Sequence, residues 1–403
     1  MSHQAGKRSK QRLQRSFSGS EATFAELLRQ ELGKELPEEL NTEFQMDRWF
    51  RAYRGDVKLA TTRVRDYLRN RRAMGYDVPN FEDVILELDS VSKVLPFMSI
   101  SRLRDRCIDE EQNTIVVVQK MENVDFGLAL KYVHVSDFLK SYFAVHEFFL
   151  RFILKREKAS DRQVSYILLF DLKGLHIPEH VNPLGVVHKF EQLMLNVFHT
   201  WFGAQFAKVI ILHPPSALSL LWMLAKRFIG RNGNIQIEVL SRLEDIHDHL
   251  PPHCIPVAYG GEVRDESVDE PDTCCSLPQK PDRAPYVVGE LFYKLGIEED
   301  QLTEIALKAH ETYSFTKTTT EPDSILAWQF HCGSTVEFSV IRNGKDGDEL
   351  VYPKFHVCPL VLMEEDCVTC KVPGTYQFVF TNVGSSFFSA TLKYRVALGR
   401  KRD

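Results

Sequence analysis

The sequence predicts two unlike folds in series: an α/β domain with a helical N-terminal extension, followed by an all-β antiparallel sandwich. Three observations predict it. Short β-branched apolar runs alternate with helical stretches between residues 114 and 239, apolar residues recur every second position beyond residue 320, and an acidic, proline-bearing stretch without periodicity separates the two regimes.

At 403 residues the chain is long enough for two or three domains, and its 44% hydrophobic and 26% charged content is that of a globular protein. A net charge of −5 gives no reason to expect a nucleic-acid partner. Eight cysteines are too sparse for a disulfide-stapled module. The opening MSHQAGKRSKQRLQRS is basic but lacks an apolar core, so it does not read as a secretory signal. No apolar run approaches the ~20 residues that span a bilayer. The expectation is a reduced, cytoplasmic protein, peripheral at membranes when it meets them.

Residues 1–20 are polar and basic, without periodicity, and read as a disordered tail, either simply solvated or weakly attracted to anionic membrane. Residues 21–88 are helical: Phe24, Leu27, Leu28 and Leu32 recur at helical spacing, as do Phe44, Trp49, Phe50 and Tyr53. Gly55-Asp56 breaks this segment before a helix carrying Val57, Ala60, Val64 and Leu68, with arginines alongside as a solvated face.

Residues 89–262 form the α/β unit. The runs 114–119, 164–170, 208–212 and 235–239 read as covered strands of a largely parallel sheet. Between the first two lies a helix whose aromatics, Phe138, Tyr142, Phe143, Phe149 and Phe152, spread over more than one face. Such a helix is either deeply buried or partly faces an apolar ligand. The helix Ala217–Ile229 raises the same question through Leu218, Leu221 and Trp222, and ends in Lys226 and Arg227 before Phe228. A lid over a lipid and a buried core helix fit it equally well.

Residues 263–284 read as a linker, in which Cys274-Cys275 is incidental. In 285–399, Leu326, Trp328, Phe330 and Cys332 alternate with Ala327, Gln329 and His331. Val336, Phe338 and Val340, then Tyr376, Phe378 and Phe380, repeat the pattern, as expected of a sandwich.

No catalytic signature stands out. There is no Gly-x-Ser-x-Gly elbow, phosphate-binding loop or HExxH sequence. His247, His249, His253 and Cys254 are interrupted by Pro251-Pro252, and Cys367-Val-Thr-Cys370 lacks a second pair, so neither reads as a metal site. Asp171 follows a strand, where α/β enzymes place chemistry, but no partner base or nucleophile can be named for it. The expectation is a non-enzyme with neither metal nor cofactor.

Several segments together resemble a known family. Lys208 to Ser219 with Lys226-Arg-Phe-Ile229 looks like the strand and gate-helix segment of CRAL-TRIO proteins. Ile255-Pro-Val-Ala-Tyr-Gly-Gly-Glu262 resembles that family's closing Leu-Pro-x-x-Tyr-Gly-Gly motif, and Val164–Gly174 its central strand. Gln45–Val57 is similar to its helical extension. Beyond the linker, Leu326-Ala-Trp-Gln-Phe330, Pro373-Gly-Thr-Tyr376 and Phe378–Asn382 resemble a GOLD domain. The two modules in this order are similar to the supernatant protein factor and α-tocopherol-associated protein group.

The resemblance implies a single lipid held in an apolar pocket beneath a mobile helix. The residues expected to contact it are Phe143, Phe149, Leu168, Phe170, Ile210, Leu218, Leu221, Trp222, Lys226 and Phe228. Lys226 matches the gate-helix lysine that meets a headgroup in phosphatidylinositol binders. The glutamate those proteins carry falls at Ala204, and Arg227 replaces the usual proline, so neutral or weakly polar cargo is favoured. The expected function is binding and transfer or presentation of one hydrophobic lipid, a neutral isoprenoid or a phospholipid, between membranes. The alternative is a lipid-sensing adaptor acting through a protein partner of the GOLD domain.

Overall fold

The computed structural model describes residues 19–102, 108–216, 235–281, 284–297, 301–344, 347–384 and 389–399. The expected basic tail up to residue 18 and the whole Ala217–Ile229 helix, with Leu218, Leu221, Trp222, Lys226 and Phe228, lie outside the described residues. The chain divides into two units, Met1–Arg65 and Asp66–Asp403.

In the first unit, helix α1 (Gly19–Leu32) packs on α2 (Glu43–Tyr53), with Phe24 edge-on to Phe50 at 5.4 Å. Thr42 caps α2 by accepting from the Gln45 amide at 3.1 Å, which satisfies one of the free N–H groups of the first turn. Arg54 closes the helix in the left-handed conformation. Helix α3 (Val57–Ala73) begins in this unit and ends in the second.

The second unit opens with short helices α4 (Phe81–Val84) and α5 (Asp89–Val94) and continues into a five-stranded sheet of order β1-β2-β3-β4-β5. Its strands are β1 (Ile108–Asp109), β2 (Thr114–Lys120), β3 (Ser165–Asp171), β4 (Phe206–Leu212) and β5 (Gln236–Val239). β2 to β5 run parallel and β1 pairs antiparallel with β2. The crossovers are α6 (Phe126–Ala129) with the 26-residue α7 (Val135–Ser160), then α8 (Ile177–Val181) and α9 (Val186–Val197), which passes into one π-helical turn, Phe198–Phe202.

Because strand side chains alternate, each strand serves two faces. Val116, Val118, Ile167, Leu169, Ile210 and Leu212 pack beneath the sheet against Leu240, Ile246, Leu250, Cys254, Ile255, Tyr259 and Cys275. The opposite face, bearing Val117, Leu168, Phe170 and Val209, turns toward α7 and α9.

Cys275 marks a departure from the expected linker. The Cys275 side chain is fully buried, and the segment is tied back to the α/β unit: Ser276 N–H donates to the Ile100 carbonyl at 3.4 Å, and Ser99 Oγ donates to the Ser276 carbonyl at 2.7 Å. Val268 and Cys274 are buried as well. Three apolar side chains scattered through an acidic stretch show no period, which is why composition alone read it as a tether. The Tyr-Gly-Gly motif just before it has a steric reason. Gly260 sits at φ +85°, and a Cβ on Gly261 would lie 2.0 Å from the Ile255 carbonyl oxygen.

The C-terminal region is two antiparallel four-stranded sheets. Its strands are β6 (Thr303–Leu307), β7 (Thr312–Thr319), β8 (Ser324–Cys332), β9 (Val336–Asn343), β10 (Glu349–Val357), β11 (Glu364–Cys370), β12 (Gly374–Asn382) and β13 (Ala390–Gly399). The sheet orders are β10-β9-β12-β7 and β11-β8-β13-β6. Trp328, Phe330, Phe338, Phe378 and Phe380 interlock between them, with ring centroids 4.7–6.5 Å apart. Ala327 and Gln329, which alternate with that aromatic row, are buried on the other face. Ala327 lies beneath helix α10 (Glu290–Lys294), whose Phe292 packs on it and on Ala397. Glu365 ties that helix down by accepting from the Gly289 and Leu291 amides at 2.9 and 2.8 Å.

α7 joins the sheet unit to the sandwich. Glu364, at the start of β11, accepts from the Val135 and Ser136 amides, both at 3.1 Å, and so caps α7 with a buried carboxylate. Burial holds the Glu364 carboxyl above its ordinary range. Lys140 bridges Asp137 at 2.9 Å and Asp366 at 2.7 Å, and Tyr352 donates to the same Asp366 at 2.9 Å. Nearby, Asn70 pairs with both the N–H and the carbonyl of Lys354, whose ammonium reaches Asp66 at 2.9 Å.

Candidate functional site

A cavity of about 170 Å³ lies between the sheet and helices α7 and α9. That is room for roughly a dozen waters at the 10–15 Å³ each requires. The floor is the upper face of the sheet: Val117 and Gln119 from β2, Leu168 and Phe170 from β3, Val209 from β4. α7 supplies one wall through Phe138, Tyr142, Val145, His146 and Phe149, a stripe at the i, i+4, i+7, i+8, i+11 spacing of one helix face. α9 and its π-turn supply the other through Phe190, Met194, Leu195 and Phe198. Val94, Leu95, Met98 and Ile100 close one side.

Five of the ten residues expected at the site are described, and the structure sorts them. Phe149, Leu168 and Phe170 line the cavity. Ile210 does not: in the parallel register Leu168 pairs with Val209 and Leu169 with Ile210, so Ile210 points into the core beneath the sheet. A shift of one residue exchanges the faces. Phe143 does not line it either. It lies on the adjacent face of α7, stacked on Tyr67 at 5.7 Å and edge-on to Phe202 and Trp201 at 5.0 and 5.6 Å. The spread of aromatics around α7 thus has two causes: one face meets a cavity, and the next packs against α3, the π-turn and Phe355 of β10.

Polar groups are few and sit at two ends. Near the ends of β2 and β3, the Glu191 carboxylate accepts from His180 Nδ1 at 2.6 Å, and His188 Nδ1 donates to the His180 carbonyl at 2.8 Å. At the start of β4, His146 is enclosed by Tyr142, Phe198, Phe202 and Phe206, with centroids 4.5–6.0 Å away. Burial pushes its imidazole down to about 3, with Gln205 beside it offsetting only part of that, so the ring is neutral at physiological pH. Tyr142, also deep in the wall, has its phenol raised by burial. Sequence reasoning missed His146, His180, Glu191 and Val209. The α7 stripe was the available signal for His146, while the eleven-residue separation of His180 from Glu191 left none.

Asp171 acquires the partners that the sequence could not name. His213 Nδ1 lies 2.7 Å from its Oδ1, Tyr259 donates to Oδ2 at 2.9 Å, and the Lys173 amide donates to Oδ1 at 2.9 Å. The tyrosine belongs to the Tyr-Gly-Gly motif, so this buried carboxylate pins the closing segment to the end of β3. The cluster thus ties the end of β3 to His213, just after β4, and to the closing segment.

Residues 101–261 match the family model for the CRAL/TRIO domain. A CRAL-TRIO domain-containing protein of Caenorhabditis elegans is 29% identical over 377 residues, covering 92% of this chain and 93% of that protein. Among solved structures, the crystal structure of Sfh5 matches at a TM-score of 0.39 and 12% identity, over 67% of this chain and 92% of that one. A structure described as "CBM4 structure and function" matches at a TM-score of 0.17 and 18% identity, over 24% of this chain and 80% of that one.

Proposed function

We propose, from the premise that residues 101–261 form a CRAL-TRIO domain and that such domains bind small hydrophobic lipids, that this chain holds one lipid in the cavity between the sheet and helices α7 and α9. It then carries that lipid between membranes or presents it to a partner. The observation that carries this reading is the wall itself: an apolar and aromatic lining around a space large enough for an apolar chain. Each Å² of apolar ligand surface withdrawn from water there contributes about 25 cal/mol, so tight binding needs few polar contacts. The role is non-catalytic and cytoplasmic, with transient contact at membranes. No described helix is long and apolar enough to cross a bilayer.

We propose further that the C-terminal sandwich is a GOLD-type module that reports on the lipid-bound state. A specific observation favours this second reading: α7 presents Phe138, Tyr142 and Phe149 to the cavity while its first turn is capped by Glu364 of the sandwich. A change at the wall therefore reaches the sandwich through one helix.

The test is native mass spectrometry of the full chain after incubation with liposomes of mixed phospholipids and neutral isoprenoids. A single lipid mass, lost on organic extraction, is expected. Bare polypeptide under all conditions would refute the reading.

A further inference from the structure

The seam between the α/β unit and the sandwich is short of positive charge. Three carboxylates meet within it: Asp137 on α7, and Glu364 and Asp366 on β11. Two lysines answer them. Lys140 bridges Asp137 and Asp366 at 2.9 and 2.7 Å, and Lys93 of α5 reaches Asp137 at 3.4 Å while pairing with the solvated Asp89 at 2.6 Å. Glu364, 2% exposed, is held by uncharged groups, the Val135 and Ser136 amides at 3.1 Å each and the Ser136 hydroxyl. His134 stands immediately before that turn. It is 6% exposed, its Nδ1 faces Asp137 at 3.9 Å, and the Tyr286 ring lies edge-on to it at 4.5 Å. The Tyr286 hydroxyl is bonded to Glu365, which is engaged in capping α10, and Tyr352 donates to Asp366. A proton on the His134 imidazole is the third cation that matches the three carboxylates.

We propose that this seam is a proton-sensitive clasp: one proton taken up by His134 completes its charge balance and tightens the hold of Glu364 on the first turn of α7. Burial disfavours charge on the imidazole, but its hydrogen bond to Asp137 and the fields of Glu364 and Asp366 overcome this and raise it above the ordinary 6.5. The stability that the protonated ring contributes is therefore full below pH 6.5 and is lost as the pH rises through the folded-state value. Asp137 is held well below the ordinary carboxylate range and Lys140 well above the ordinary lysine value, so both keep their charges across that span. Burial raises the Glu364 carboxyl too, which makes it the competitor for the proton. Its bonds from the Val135 and Ser136 amides favour the ionised form and leave the proton to the imidazole. Phe138 and Tyr142 of the cavity wall lie on the first two turns of α7, so the clasp sets how firmly that wall is anchored to the sandwich. It operates whether or not the cavity holds a lipid.

The experiment follows the full chain between about pH 6 and about pH 8 by nuclear magnetic resonance and hydrogen exchange. Ring-labelled histidine reports the His134 nitrogens, labelled glutamate reports the Glu364 carboxyl carbon, and exchange at the Val135 and Ser136 amides is corrected for its intrinsic pH dependence. Wild-type His134 is expected to titrate above 6.5, with protection of the two amides about threefold or more greater at the acid end. In His134→Gln, which keeps a polar side chain but takes up no proton, corrected protection should be level across the range. Should that variant fail to fold, the wild type decides alone, because the imidazole midpoint and the amide protection must move together. A His134 midpoint at or below 6.5 would overturn the clasp, as would protection that ignores pH. So would a pH dependence that survives His134→Gln, or uptake of the proton by Glu364 in place of His134.

Discussion

Replacing Lys140 with methionine is expected to destabilise the second unit by about 3–5 kcal/mol, because it leaves two carboxylates without their shared cation. Lys140 lies between Asp137 and Asp366, at 2.9 and 2.7 Å, and over the Tyr352 ring at 5.6 Å. Burial alone would raise the Asp137 carboxyl, but Lys140, His134 and Lys93 overcome it and hold the group well below the ordinary carboxylate range. Its folded-state pKa is thus depressed. The stability it contributes is present above the unfolded-state value of 3.8 and is lost as the pH falls through the folded value. The penalty of Lys140→Met should be full above about pH 4 and should shrink in stronger acid. Urea unfolding of wild type and variant at several pH values measures it. A loss below about 1 kcal/mol at neutral pH would show that the bridge behaves as an exposed ion pair.

Filling the cavity should abolish ligand uptake while leaving the fold in place. Leu168 and Val209 face each other across β3 and β4 on the cavity floor. Leu168→Trp combined with Val209→Phe places two aromatic groups where the ligand lies, and is expected to lower lipid affinity by at least a hundredfold. Overpacking a wall with free space above it costs less than overpacking a closed core, for which about 1–3 kcal/mol is typical. Lipid retention by native mass spectrometry, beside a circular dichroism spectrum matching wild type, measures the outcome. Undiminished uptake by a folded double variant would move the ligand elsewhere.

The order of elements was legible because period and composition carry it. The β-branched runs became β2, β3 and β4, and the alternation from Leu326 to Cys332 became β8. Which face a residue occupies was harder to read. Val209 and Ile210 are alike to any scale of hydrophobicity, and only the parallel register to β3 sends one to the cavity and the other to the core. Phe143 misled for a related reason: an aromatic on a helix wrapped by neighbours does not declare which neighbour it meets. The segment carrying Cys274 and Cys275 has the composition of a linker because its buried side chains have no period. His146 stands within the aromatic run of α7, and its place in the cavity wall follows from the helix face it shares with Phe138, Tyr142 and Phe149.

Photolabelling locates a lipid held between the sheet and helices α7 and α9. The full chain would be loaded with a long-chain alcohol bearing a diazirine near the middle of its chain, irradiated, digested and sequenced by mass spectrometry. Adducts are expected on peptides containing Phe149, Leu168, Phe170 and Met194, which line the cavity, and none on the sandwich strands around Phe338 and Phe378. Adducts concentrated in the sandwich, or scattered over exposed residues such as Leu184 and Tyr293, would contradict it.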